Sequence, residues 1–172
     1  MKTITTKITL LIIIGFFQVT AKAFIKTPDT NSCLQLSGKI LKLKKFSSNT
    51  YTINLMRKNE VIETKVIKGN NEFKLDLKKN GWYTVKILKE GYVCRTISID
   101  TRLENENEGY YKFAFDTELI EEADAVTLNK SALNMPIAHI SFDNQKRWFT
   151  HSVAYTNEIK NRIYRGHVQL NK

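Results

Sequence analysis

The chain has 172 residues, 27 Lys+Arg against 17 Asp+Glu, a formal net charge of +10, and two cysteines. That length fits one domain with an appendage, and so few cysteines exclude a disulfide-dense scaffold. The basic residues are spread along the chain and not gathered on one element with aromatics to stack bases, so they read as a solvated surface with no nucleic-acid partner.

Lys2 and Lys7 precede an apolar run from Ile8 to Phe17, interrupted only by Thr9 and Gly15, and Ala21-Lys22-Ala23 follows. A basic start, a short apolar core and small residues just before a cut are the marks of a secretory signal peptide. The run is shorter than the roughly 20 apolar residues a membrane-spanning helix needs. Residues 1–23 are therefore expected to be removed, the mature chain to begin near Phe24, and no transmembrane segment to remain. The mature protein would be exported to the periplasm, the outer surface or the medium; an uncleaved membrane anchor is the competing reading. Lipid attachment is not expected, because the first cysteine, Cys33, stands ten residues beyond the cut. Removing Lys2, Lys7 and Lys22 with no acidic residue leaves 24 basic and 17 acidic side chains, a net charge of +7.

Residues 24–32 read as a linker. From residue 33 to about residue 120 the pattern has period two. Strands are expected over 34–43, over 51–56, where Tyr51, Ile53 and Leu55 alternate with polar neighbours, and over 61–67. Further strands follow over 73–78, over 83–87 and through Cys94 to about Arg102. Asn80-Gly81 is a strong tight-turn dipeptide, since both residues tolerate positive φ. A seventh strand is expected over 110–119, preceded by an acidic loop at 103–109. Short strands at regular spacing with polar turns predict an all-β, seven-stranded sandwich over 33–120. Its interior would hold Leu34, Leu36, Ile53, Leu55, Phe73, Leu75, Val85, Ile87, Ile97 and Ile99.

The remainder, 121–172, is expected to be an extension of loop, strand and helix. Residues 121–134 have no clean period and read as a loop with a short helix. Ile137 to Phe142 forms an apolar strand. Over 150–165, Tyr155, Ile159 and Ile163 recur on one side of a helix, and residues 166–172 are expected to fray. This extension either covers an open sandwich edge or serves as a flexible docking tail.

Strand parity places Cys33 with Gln35, Ser37 and Lys39, and Cys94 with Thr96 and Ser98, on the more polar faces of their strands. In an oxidising compartment these two thiols are a candidate disulfide, Cys33 to Cys94; two isolated thiols are the equal alternative.

The stretch Gly81-Trp82-Tyr83-Thr84-Val85-Lys86-Ile87, then Lys89-Glu90-Gly91-Tyr92, then Thr96-Ile97-Ser98-Ile99 resembles the carboxypeptidase regulatory-like domains. These share a transthyretin-like (prealbumin-like, Ig-like) seven-stranded sandwich with the B-type repeats of bacterial collagen adhesins. Gly38 and Asn71-Glu72-Phe73 also fit, and the likeness covers about residues 34 to 100. It departs from the family after the first strand, where Lys44-Lys45-Phe46-Ser47-Ser48-Asn49 replaces the usual Asp-x-x-Gly-x-Pro-Leu turn. The resemblance implies a non-catalytic accessory, adhesive or structural module. It does not extend to the hydroxyisourate hydrolases of the same fold, since Tyr164-Arg165-Gly166-His167 lacks their terminal serine. Nor is an isopeptide bond expected at Lys39, whose parity is polar.

No Gly-x-Ser-x-Gly, His-Glu-x-x-His or phosphate-cradling glycine loop is present. His139, His151 and His167 are the only histidines, spaced unlike a ligand pair on one helical turn. No catalytic, metal-binding or cofactor-binding residue is assigned. The exposed-aromatic candidates, Trp82, Tyr92, Tyr110, Tyr111, Trp148 and Phe149, read more simply as core or strand-end residues. The expectation is an exported, non-enzymatic sandwich that binds a protein or envelope polysaccharide or gives structural support. The alternative is a secreted or periplasmic hydrolase using the C-terminal histidines with an acid such as Asp143 or Glu158. The alternative requires His139 and His151 to converge on one cleft.

Overall fold

The computed structural model describes residues 31–41, 50–69, 71–104 and 109–165. The expected signal peptide, linker residues 24–30, the departing connection at 44–49, residues 105–108 of the acidic loop and His167 lie outside them.

Period-two alternation becomes strand wherever one face meets the core. The strands are β1 (Ser32–Leu41), β2 (Thr50–Arg57), β3 (Glu60–Lys68), β4 (Glu72–Lys78), β5 (Trp82–Leu88), β6 (Arg95–Asp100), β7 (Tyr111–Ala114), β8 (Thr117–Glu118), β9 (Ala138–Asp143) and β10 (Trp148–His151). Three helices complete the fold: α1 (Glu122–Ala125), α2 (Lys130–Leu133) and α3 (Val153–Tyr164). One sheet runs β4-β1-β7 with β8 also on β1, and the other runs β10-β9-β6-β5-β2-β3. Neighbours are antiparallel except β1 with β7, β1 with β8, and β6 with β9.

The two sheets face each other across one core, and the ten residues expected inside it are all buried, none above 3 % exposure. A second, smaller cluster is helical. Ala125, Leu128, Ala132, Leu133, Ile159 and Ile163 pack together beside the sandwich, with Val93 and Tyr155 against them.

Three expectations need correction. The described strands number ten, not seven. The expected seventh strand breaks at Phe115-Asp116 into β7 and β8, although both keep one register against β1 (Ser37 with Ala114, Ile40 with Thr117). Thr150 and His151, expected to open the helix, belong to β10. Asp143 Oδ1 accepts from the amides of Gln145 and Lys146, each at 3.0 Å, and Arg147 takes φ +54°. That reverses the chain into a hairpin, and α3 then starts after Ser152, whose hydroxyl caps the Tyr155 amide at 3.3 Å.

The candidate disulfide is the third. Cys33 and Cys94 are free thiols, and Cys33 is fully buried, not on a polar face. A register shift between Ser32 and Leu34 explains it, since the extra residue of a bulge breaks simple alternation. Cys33 lies against Thr101, just past one end of β6, while Cys94 precedes the other end. Seven extended residues separate positions 94 and 101, about 23 Å. A disulfide requires Cα atoms within about 7 Å.

Candidate functional site

β6 presents Arg95, Ile97 and Ile99 on its inward face. The first of these is a cation, and it is only 5 % exposed. Among the described residues its Nε and Nη1 have no hydrogen-bond partner, and no ion pair reaches the guanidinium. Burial pulls its pKa down; Tyr164 and Cys94 oppose that shift. Removing such a charge from water without a partner carries a penalty on the order of several kcal/mol. The residue therefore calls for an explanation beyond packing.

Arg95 lines a cavity of about 750 Å³ between the sandwich and its helical extension. Six pieces of chain line it: the end of β1 at Leu41, the run from Tyr92 to Arg95 into β6, the segment from Ala114 to Leu128 that carries β8, Ile137 before β9, the end of β10 at His151, and one side of α3. Thr156 of α3 lines the same space; it is 7 % exposed and its Oγ1 also lacks a partner. Phe115, Leu119, Leu128, Ile137 and Ile163 give the wall its apolar part. At the mouth stand Asp116, Glu118, Asp124 and Lys160, all exposed, with Glu121 half-buried. The arrangement is a hollow of ligand size with a mixed polar and apolar wall, in which Arg95 and Thr156 are buried polar residues with unpaired atoms.

A second hollow, of about 810 Å³, lies across Tyr92 and is lined by Thr50, Tyr51, Leu88, Lys89 and Cys94 among others. It is the more open of the two. The buried Tyr51 hydroxyl there also lacks a partner, and burial, then Glu72, push its pKa up to about 12. A neutral phenol is far less costly to leave unpaired than a guanidinium, so the Arg95 cavity is the better candidate.

The histidines do not converge. His151 pairs with Ile140 across β9–β10, so it points inward, where its ring meets Phe113 and Phe115 at 6.2 and 5.5 Å. His139, one residue before Ile140, points to the opposite face and packs on Tyr155 at 4.1 Å between ring centroids. Asp143 holds the β9–β10 turn, and Glu158 pairs with Arg162 along α3 at 3.8 Å. No group of His, Cys, Asp and Glu among the described residues could hold a metal ion.

The aromatic candidates have structural partners. Phe149 is buried and Tyr111 packs edge-on to Phe142, Trp148 and Phe149. The Tyr110 hydroxyl donates to Asp76 at 2.6 Å. Tyr92 is half-buried beneath the Lys89 ammonium, and Lys39 pairs in solvent with Glu72 at 3.7 Å. Trp82 stays 53 % exposed, its Nε1 donating to Ser98 Oγ and the Arg102 guanidinium lying over its ring at 4.9 Å.

Arg95 and Thr156 were not singled out from the sequence. The signal for Arg95 was present: it shares parity with Ile97 and Ile99, so a charge fell on a face already assigned to the core. Thr156 had no such signal, because it lies beside the Tyr155, Ile159, Ile163 stripe, not in it.

No family model matches the chain, and no curated protein matches it. Among solved structures, one described as "Crystal Structure of S.CueP" aligns with a TM-score of 0.36 and 13 % identity over 51 % of this chain. The alignment spans 62 % of that structure's length. No helix among the described residues is long and apolar enough to cross a membrane.

Proposed function

We propose that this chain is an exported, non-enzymatic β-sandwich module that binds a small ligand where the sandwich meets its C-terminal extension. The observation that carries the reading is the cavity with Arg95 buried and unpaired in its wall. The transthyretin-like reading is supported by β1–β7 alone making two facing layers, β4-β1-β7 and β3-β2-β5-β6, to which the later elements are added. A hydrolase built on the C-terminal histidines draws no support, since His139 and His151 face opposite sides of one sheet. A protein or polysaccharide of the envelope remains the kind of partner that would deliver or receive such a ligand.

Two measurements test the proposal. Expressed as the full chain in an exporting bacterial host, the processed protein should begin at or within a few residues of Phe24. Retention of Met1 would overturn export. The processed protein is then screened by thermal shift against a library of anionic, neutral and cationic small molecules. At least one class should raise its melting temperature while leaving Thr156→Phe, which fills the cavity, unmoved. A library without effect, or an equal effect on the filled variant, would remove the cavity as a binding site.

A further inference from the structure

We infer that the ligand of this cavity is a small monocarboxylate, its single carboxylate set against Arg95 and Thr156 and the rest of the molecule apolar or cationic. The inference rests on the binding reading above and names the chemistry of its ligand.

Arg95 supplies the first reason. A guanidinium presents planar N–H donors that match a carboxylate in bidentate fashion, and such charge-assisted bonds are stronger in a site shielded from water. Here the cation is already largely out of water, and among the described residues no ion pair reaches it. An incoming carboxylate therefore gains the pairing without first displacing another partner. The Thr156 hydroxyl, equally buried and unpaired, adds a donor in the same space.

The mouth supplies the second reason, by exclusion. Among the described residues, Asp116 and Asp124 stand there with Lys160, and Glu118 and Glu121, which have partners of their own, add to the acidic side. A ligand with several negative charges, such as a nucleotide or polyphosphate, would bring like charges against these carboxylates. One anionic group carried through to Arg95 avoids that repulsion, and a cationic group left at the mouth would be attracted. The third reason is the wall: Phe115, Leu119, Ile137 and Ile163 suit a hydrocarbon body, and about 750 Å³ is ample for one.

Titration of the processed, isotope-labelled chain with octanoate, its neutral isostere octanamide and inorganic phosphate, at fixed ionic strength and below micelle formation, tests the inference by NMR. Octanoate should shift the Arg95 Nε–H and Thr156 resonances saturably. Octanamide should bind at least about tenfold more weakly, because the charge-assisted bonds are lost. Phosphate should give no saturable shift. Arg95→Lys, which keeps the charge but not the fork, should weaken octanoate and leave octanamide unchanged. Arg95→Met should melt at or above the wild type, since it removes a buried charge without a partner.

Equal binding of octanoate and octanamide would overturn the carboxylate assignment while leaving the cavity as a binding site. Saturable phosphate binding with octanoate inert would assign the site to a different anion. A lack of response to all three would end this inference, and the library screen would still decide whether the cavity binds anything. A cooperative but strongly destabilised Arg95→Met would show that the guanidinium supports the fold and is not held for a ligand.

Discussion

Gly38 stands directly opposite Phe73 where β1 meets β4. A Cβ at this position would lie 2.3 Å from Phe73 Cζ. The ring is 3 % exposed and sits among core side chains, so it has no open space to swing into. Gly38→Ala should therefore cost about 1–3 kcal/mol through overpacking, read as a lower urea midpoint with an unchanged slope. Gly69→Asn is the control: nothing lies within 4 Å of its Cβ position, and asparagine tolerates its φ of +68°. Equal midpoints for both variants would mean that the ring has room to move. Gly81 carries a related lesson. Both residues of the turn dipeptide tolerate positive φ, and only Asn80 adopts it, at +56°. Gly81 instead leaves space for the Tyr83 ring, 2.4 Å from where its Cβ would be. That requirement comes from packing between residues, which local turn chemistry does not encode. The thiols yield a prediction of their own. Burial pushes the Cys33 pKa up to about 11, and burial raises that of Cys94 as well. Since the thiolate is the reactive form, both should react slowly with a thiol reagent in the native protein, Cys33 the slower. Denaturation should release two titratable thiols; none after export would restore the disulfide.

At the scale of elements, α3 is anchored at both ends: the Ile163 carbonyl accepts from the Asn129 amide at 3.1 Å, and the first turn is held to β9. The Ser152 amide donates to the His139 carbonyl at 3.0 Å, and the Tyr155 hydroxyl donates to the Pro136 carbonyl at 2.9 Å. His139 and Tyr155 stack between them, and burial holds the His139 pKa below its ordinary value of 6.5. Because the folded-state pKa is depressed, the unfolded chain binds the proton more readily. The stabilisation is complete above the ordinary value and is lost as pH falls through that value towards the folded one. The melting temperature should drop between about pH 7 and about pH 5 in the wild type, and less in His139→Gln. Asp100, held low chiefly by Arg102, and Asp143, held low chiefly by the Lys146 amide, act only below the carboxylate value of 3.8, so the windows separate. Identical profiles for wild type and His139→Gln would show that this packing does not sense the proton. The elements differ in how plainly the sequence announces them. β2, β4 and β5 alternate cleanly because each has a core side and a water side. The Tyr155, Ile159, Ile163 stripe likewise announced α3, two of the three being buried. β8 and β10 were not legible, having two and four residues, too few for a period to register. The parallel pairing of β1 with β7 depends on chain ends brought together by the whole fold, and no local pattern reports it.

The molecule as a whole closes through its C-terminal third. β9 adds to the edge of β6 in parallel, placing Ile137, Ala138 and Ile140 in the main core, and β10 adds Phe149. Phe142, Trp148 and Phe149 then surround Tyr111 of β7, so the extension joins the two sheets along one open side. On the opposite side β3 is the edge. There Val61, Ile62 and Val66 remain about half exposed, and the Lys65 ammonium reaches across to the Lys74 carbonyl of β4. The two sides are thus closed by different means, an added hairpin on one and, on the other, Ile67 packed on the core with the reach of Lys65 beside it. Removing residues 136–172 would expose the β6 edge, an open template for strand pairing, and strip burial from at least Ile137, Ile140 and Phe149. Three large side chains at about 1.5–3 kcal/mol each amount to about 5 kcal/mol or more, a large share of the stability of a domain this size. The truncated chain should aggregate, or melt far below the full one. Limited proteolysis of the full chain is the sharper check, because it does not require the truncated form to be soluble. Residues 137–163 should resist cleavage until the sandwich itself unfolds. Rapid trimming back to about residue 125, with the melting temperature unchanged, would instead make the extension a separable tail. The Arg95 cavity would then lose α3 as its wall, and the ligand site proposed above would fall with it.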